Sequence, residues 1–358
     1  MCQLGKNSVQ GLSRVILLLL SCSMILFVAT IQAAEKPQLV FYNWTAYVSK
    51  EVIEKFEASR NCKIREEYFQ SSDNRDENVM NNPQRYDVIM INGNDVIPYA
   101  ERDWIMPIGV KNVPNLAQMD QRWINAWAGT AEYAVPYLWG TFGIVYRSDL
   151  IKEKITSWMQ FYQPKEAWRG KMMVVDIHRL GLGLALKGLG HSINSEDPKA
   201  VNEAIALLNK QKPYVQTYGY FKTNAESGIV SGKTWIGQAW NGDALLLQKR
   251  NSAIHYVLPK EGGEIWMDYM VVSKHTKHPE LAYDFVNYIS EASNSAKVAL
   301  ALEFATPNRE ARKLLPKAML ENKIIYPSEE ELQKSEMVNN ISPRIQRKMV
   351  EAWSLLKR

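Results

Sequence analysis

Aromatic side chains crowd one short stretch near the start of the chain, "FYNWTAYVSKEVIEKFE" over residues 41–57, where Tyr42, Trp44 and Tyr47 fall just before an amphipathic helix. A turn is the hardest place to bury a ring. Trp44 and Tyr47 there either face a ligand or fill the core beside a hinge. Both uses are recognition or packing, and neither breaks a covalent bond. The residues that make and break bonds lack the spacing for it. The five histidines, His178, His191, His255, His275 and His278, contain no His-Glu-x-x-His pair or other zinc spacing. There is no Gly-x-Ser-x-Gly nucleophile elbow. Gly228–Thr234 resembles a phosphate loop with one residue too few between its glycines, and Gly181-Leu-Gly183 has no third small residue three positions on. Cys62 stands outside any motif and is expected to pack against a strand. No metal, cofactor or catalytic constellation is expected, and an enzyme is set aside.

The elements that must position the aromatic turn follow from periodicity. Leu39–Trp44 reads as a buried strand, Ser49 caps a helix with Val52, Ile53 and Phe56 on one face, Lys63–Phe69 is a second strand and Tyr86–Ile91 a third, with Asp95 opening the next helix. Strand–helix–strand alternation implies a parallel sheet covered by helices. The pattern changes at Val135–Arg147, an extended run that reads as a crossing to a second lobe. Residues 171–258 repeat the α/β rhythm, residues 256–272 form another extended crossing, and helices follow at Pro279–Ile289 and from Glu329. The expected fold class is therefore α/β, a hinged two-lobed clam with a parallel-type sheet in each lobe. Residues 35–140 plus 266–312 would form lobe 1, and 141–265 plus 313–358 lobe 2. Ligands in open parallel sheets lie outside the carboxyl ends of the strands, so the aromatic turn would face the cleft.

The chain has 358 residues, a length that suits about two domains, and its 46% hydrophobic and 23% charged composition is that of a globular protein. Residues 1–34 combine Lys6 and Arg14, an apolar run Val15–Ile31 and small residues at the end, the make-up of a cleavable secretory signal. An uncleaved anchor is the alternative. Removing that segment leaves a net charge of +3 and Cys62 as the remaining thiol, which excludes a disulfide framework and gives no basic surface for nucleic acid.

Several stretches in order, "YNWTAYV" (42–48), "VPYLWGTFGIVYR" (135–147), "SWMQFYQPKEAWRGKM" (157–172), "AWNGDA" (239–244), "LPKEGGEIWMD" (258–268) and "ATPNREARKLL" (305–315), resemble the periplasmic polyamine-binding proteins of bacterial ABC importers, the spermidine/putrescine-binding type. The resemblance implies two α/β lobes and an extended aliphatic amine in the cleft, its methylenes lined by aromatic faces and its ammonium ends held by carboxylates. Aromatic faces attract a nearby cation by on the order of 2 kcal/mol when desolvated, and charge-assisted hydrogen bonds are roughly twice as strong as neutral ones. It implies ligand-binding roles for Trp44, Thr45, Tyr47, Trp240, Trp266 and Asp268, and places Asn92 and Asp95 in the segment where the family carries a Ser and a Tyr. Two family acids align with Ile177 and Leu180, and a family glutamine with Val338.

These departures leave three outcomes open. Asp95, Asp243 or Glu226 replaces the lost charge, the ligand is shorter or has a neutral end, or the cleft works as a signalling surface. The second functional class is accordingly a periplasmic sensory protein that docks on a membrane receptor instead of a permease. Partners expected are a small cationic amine and an inner-membrane permease or sensor, for a periplasmic protein working as a monomer.

Overall fold

The computed structural model describes residues 36–358, so the expected signal segment 1–34 lies outside the described residues. Gln38–Arg358 forms one compact unit. Its strands are β1 (Gln38–Asn43), β2 (Lys63–Tyr68), β3 (Val88–Asn92), β4 (Val135–Arg147), β5 (Met172–Val174), β6 (Val215–Tyr218), β7 (Ile236–Trp240), β8 (Ile254–Val257) and β9 (Glu264–Val272). The helices that matter to the site are α1 (Lys50–Arg60), α2 (Ser72–Asn81), α3 (Val96–Glu101), α4 (His178–Gly188), α5 (Pro198–Gln211), α6 (Asn241–Arg250), α7 (Pro279–Ile289), α8 (Ala292–Leu302) and α9 (Pro343–Leu356). Among the described residues no helix is long and apolar enough to cross a membrane.

Helix α1 forms where periodicity places it. Val52, Ile53 and Phe56 are buried on one face, and the Ser49 carbonyl accepts from the amides of Val52 (3.0 Å) and Ile53 (3.2 Å). The Ser49 hydroxyl makes no capping bond, and Asn61 closes the helix in the left-handed region. The third strand begins at Val88 rather than Tyr86. The Asp87 carboxylate instead accepts from the Val40 amide at 2.6 Å and ties the two strand ends together.

The strands follow one hydrogen-bonded path, β2-β1-β3-β9-β4-β7-β5-β6, with β8 beside β4. The expectation of a separate sheet in each lobe is refined here. Each half has a parallel portion, β2-β1-β3 and β7-β5-β6, but the crossing strands β4 and β9 pair antiparallel from Val135–Met270 to Phe142–Glu264 and join the halves. The 13-residue β4 is buried along its whole length because its two ends serve two hydrophobic cores. Val135, Tyr137, Leu138 and Trp139 pack in the first core, and Phe142, Ile144 and Tyr146 in the second. The first core also takes in Leu315, Met319, Ile325 and Tyr326.

Gly181 and Gly183 lie inside α4 rather than before it. A Cβ at Gly181 would stand 2.2 Å from the ring of Trp353 on α9, so the missing side chain lets the two helices touch. The charged tail is broken between Lys334 and Pro343, where Glu336 leaves the helical path and bridges to Glu264 at the start of β9.

Candidate functional site

Directly paired residues of neighbouring strands share a face, and the register of four strands assembles the site from this rule. Asn92 on β3 faces Asp268 on β9, which faces Leu138 on β4. One step along, Trp266 faces Gly140, and a further step on, Glu264 faces Phe142, which faces Trp240 on β7. One surface therefore carries Asp268, Trp266, Glu264 and Trp240. Gly140 leaves room for the Trp266 indole and the Asn241 amide. A Cβ on it would stand 2.6 Å from the Trp266 indole and 2.3 Å from Asn241 Oδ1.

The aromatic turn folds over the Asp268 end. Ala46 adopts φ 56° and turns the chain sharply between Trp44 and Tyr47. Tyr137 Oη donates to the Tyr47 carbonyl at 2.7 Å, and the two rings meet edge-on at 5.5 Å. Tyr47 is buried, Trp44 is half-buried against Phe69 at 4.3 Å, and Thr45 is exposed on the turn. Phe304, which sequence reasoning missed, completes the box. It meets Trp266 edge-on at 5.0 Å and Tyr47 at 5.9 Å. A single Phe in the turn after α8 has no periodic partner, so no spacing signal announces it. Trp240 stacks on Tyr220 at 5.8 Å and meets the edge of Phe142 at 5.0 Å.

Asp268 is 5% exposed, and its Oδ1 accepts from Asn92 Nδ2 at 3.1 Å. Burial pushes its carboxyl up to about 7, opposed by Tyr47, by the Arg75 charge and by Trp44. The Tyr47 hydroxyl lies close enough to lower that pKa, yet it closes no hydrogen bond of normal geometry. The Trp266 indole N–H is likewise buried without an acceptor. The acid and the Tyr47 hydroxyl beside it, and the Trp266 N–H two residues along the same strand face, keep hydrogen-bonding capacity to spare, which buried polar groups rarely do unless something else uses it.

The remaining predicted residues divide. Asn92 belongs to the site and also accepts from Ser72 Oγ (2.9 Å) and Arg75 Nη1 (3.3 Å). Asp95 does not offer a free charge, because Arg75, fully buried on α2, binds it at 2.6 Å and also reaches Tyr99 Oη at 3.0 Å. Asp243, in the first turn of α6, takes part in no hydrogen bond or ion pair among the described residues, and burial pushes it up to about 6. Glu226 is exposed and paired with Lys222 at 2.9 Å. Asp176 is drawn away by Trp353 Nε1 (2.9 Å) and Lys357 Nζ (2.6 Å). Ile177 and Leu180 sit at the start of α4 and pack in the second core, with Val338 against it. Cys62 is buried and free. A cavity of about 460 Å³ bordered by Trp123, Trp139, Arg312 and Tyr326 lies elsewhere and includes none of the predicted site residues. Among the described residues no group of three metal-ligating side chains occurs.

The family model described as bacterial extracellular solute-binding protein matches residues 51–325. The chain is similar to a spermidine/putrescine-binding periplasmic protein of Salmonella typhimurium, 28% identical over 327 residues that cover 90% of this chain and 93% of the relative. A putrescine-binding periplasmic protein of Pseudomonas aeruginosa, SpuD, is 25% identical, with 91% and 93% covered. Among solved structures, the spermidine/putrescine ABC transporter substrate-binding protein PotD of Streptococcus pneumoniae superposes with a TM-score of 0.81 at 25% identity, covering 90% of this chain and 100% of that one.

Proposed function

The chain belongs to the bacterial extracellular solute-binding protein family, and we propose that it captures a polyamine-like cationic amine between two lobes and presents it to an inner-membrane ABC permease. Members of this family bind rather than transform their ligands, and relatives named for spermidine and putrescine binding support this choice of ligand class. The observation that carries the reading is Asp268, a nearly buried carboxyl whose near neighbours Tyr47 and Trp266 keep unused donors. A cationic ligand removes the cost of burying that acid. Trp44, Tyr47, Trp266, Phe304 and Trp240 supply faces and edges for the methylenes and for cation–π attraction, worth on the order of 0.5–2 kcal/mol each. Asp243 is a further acid available to a ligand nitrogen.

The lobes of this reading meet along β4 and β9, which act as the hinge, and the first lobe extends to about Tyr326 by the packing of its core. Asn340 Nδ2 donates to the Asn94 carbonyl at 2.9 Å, a contact between the two halves that suits a closed clam. The relatives' periplasmic location supports the same location here, reached through the 1–34 segment, with a monomer as the working form. No feature of the described residues favours the sensory alternative.

Calorimetry and thermal shift with putrescine, cadaverine, agmatine, spermidine and norspermidine test the proposal. Saturable heat and a raised melting temperature with at least one amine are expected. Absence of both with every amine overturns it.

A further inference from the structure

Among the described residues Glu264 is a carboxylic acid without a hydrogen-bond or ion-pair partner. It opens β9 on the same face as Trp266 and Asp268, and its Oε2 is buried with no hydrogen bond. Its backbone is pinned on both sides. Ile265 N donates to the Glu336 carbonyl at 2.9 Å, and Glu336 N to the Gly263 carbonyl at 3.0 Å. The Glu336 carboxylate is already occupied by Lys187 at 2.5 Å and by the Ile193 amide at 3.1 Å. Arg179 is the cation that lowers the pKa of Glu264, but its donors go to the Ile193 carbonyl (2.7 Å), Asn194 Oδ1 (2.6 Å) and the Asn339 carbonyl (3.2 Å). Glu264 bridges to Glu336, whose carboxylate binds Lys187 on α4, so Glu264 lies beside α4, the helix at whose start Ile177 and Leu180 leave no acid. The Trp266 ring, 9% exposed and with its N–H unpartnered, stands between Glu264 and Asp268. Trp240 flanks Glu264 across Phe142.

We propose that Glu264 is the second ammonium-binding carboxylate of this cleft and that the pair Asp268 and Glu264 selects a linear triamine over a short diamine. The inference rests on the amine-binding reading above. Four residues of strand separate the two acids by roughly 13 Å. A linear triamine, roughly 10–11 Å between terminal nitrogens when extended at bond lengths of about 1.5 Å, reaches about 16 Å with one charge-assisted contact of about 2.8 Å at each end and so spans both acids with slack, against about 12 Å for an extended four-carbon diamine. A four-carbon diamine falls short and holds one acid only. Burial and Asp268 push the Glu264 carboxyl up to about 8, so the empty site keeps it largely neutral until a cation arrives.

Calorimetry of the wild-type chain, Glu264→Gln and Glu264→Asp with spermidine, norspermidine and putrescine tests the assignment. Glu264→Gln is expected to weaken both triamines by about 30-fold, or roughly 2 kcal/mol, and to leave putrescine within about threefold. Glu264→Asp is expected to fall between, and Glu264→Gln, freed of the buried acid, to melt no lower than wild type when empty. Triamine affinity within about threefold of wild type in Glu264→Gln overturns the assignment and leaves the amine-binding reading standing. An equal loss for putrescine and the triamines overturns it too. A wild-type protein that binds no amine removes both.

Discussion

The two ends of the proposed cleft support their acids differently. At the Asp268 end, polar groups are layered. Asp268 is backed by Asn92, Asn92 by Ser72 and Arg75, and Arg75 by Asp95 and Tyr99. A permanently charged guanidinium is buried there because its donors are satisfied. At the α4 end, Ile177 and Leu180 are apolar and pack inward, and Glu264 faces the same surface with an unsatisfied oxygen. Buried charge is tolerated where the network is complete. Where the network is missing, the acid stays protonated until a cation completes it. On the amine-binding reading, one end carries its supporting network in advance, and the ligand supplies the partner at the other.

Removing the built end should have the largest effect. Asp268→Ala strands a buried ammonium, a loss of about 3–5 kcal/mol, so every amine should weaken by about two to four orders of magnitude in calorimetry. Unchanged affinity would move the ligand away from Asp268. Next comes the ring between the ends. Trp266→Ala should cost about 0.5–2 kcal/mol, and Gly140→Val should weaken binding similarly by driving a side chain into the Trp266 indole, which a Cβ alone already approaches to 2.6 Å. Equal affinity in Gly140→Val would mean the indole is not held against that glycine.

The pH dependence sharpens the contrast further. Asp268 and Glu264 stand at about 7 and about 8 in the empty protein, against roughly 4 in an unfolded chain. Between those values the folded state binds more protons than the unfolded one. The empty protein should therefore lose stability as pH rises from about 4 to about 8, by up to about 1.4 kcal/mol per pH unit for each acid that titrates. Asn92, Tyr47, Trp44, Arg75 and Asp95 surround Asp268, and Arg179 and Asp268 act on Glu264, which in turn raises the pKa of Tyr256. Amine affinity should run the other way and rise over about pH 6–8.5, because the ligand needs both carboxylates ionised. Thermal melts and titrations at several pH values measure both slopes. A flat affinity profile would break the link. The smallest change expected is a gain: Leu180→Glu restores an acid at the α4 end and should tighten amines by a few fold, with no change counting against that end being part of the site.

Much of the scaffold was legible from periodicity. α7 falls on its predicted bounds, and α1 buries the predicted face, because each has a strong apolar repeat or clear punctuation. The joined sheet was not legible, since pairing between β4 and β9 is a long-range fact carried by two equally apolar runs. In the site, the tryptophans and Asp268 stood out through rare residue types in a resembling motif. Asp95 misled because an acid just after the third strand does not disclose that α2 buries an arginine against it. Glu264 and Phe304 went unnoticed because only register and packing show which way a lone Glu or Phe points.

A crystal structure with spermidine bound tests the central claim most directly. The account predicts the amine lying across Trp266 with a terminal ammonium on Asp268 and the aromatic turn at Trp44 and Tyr47 closed over it. An amine seated elsewhere, or in the cleft with no nitrogen against Asp268, would contradict it.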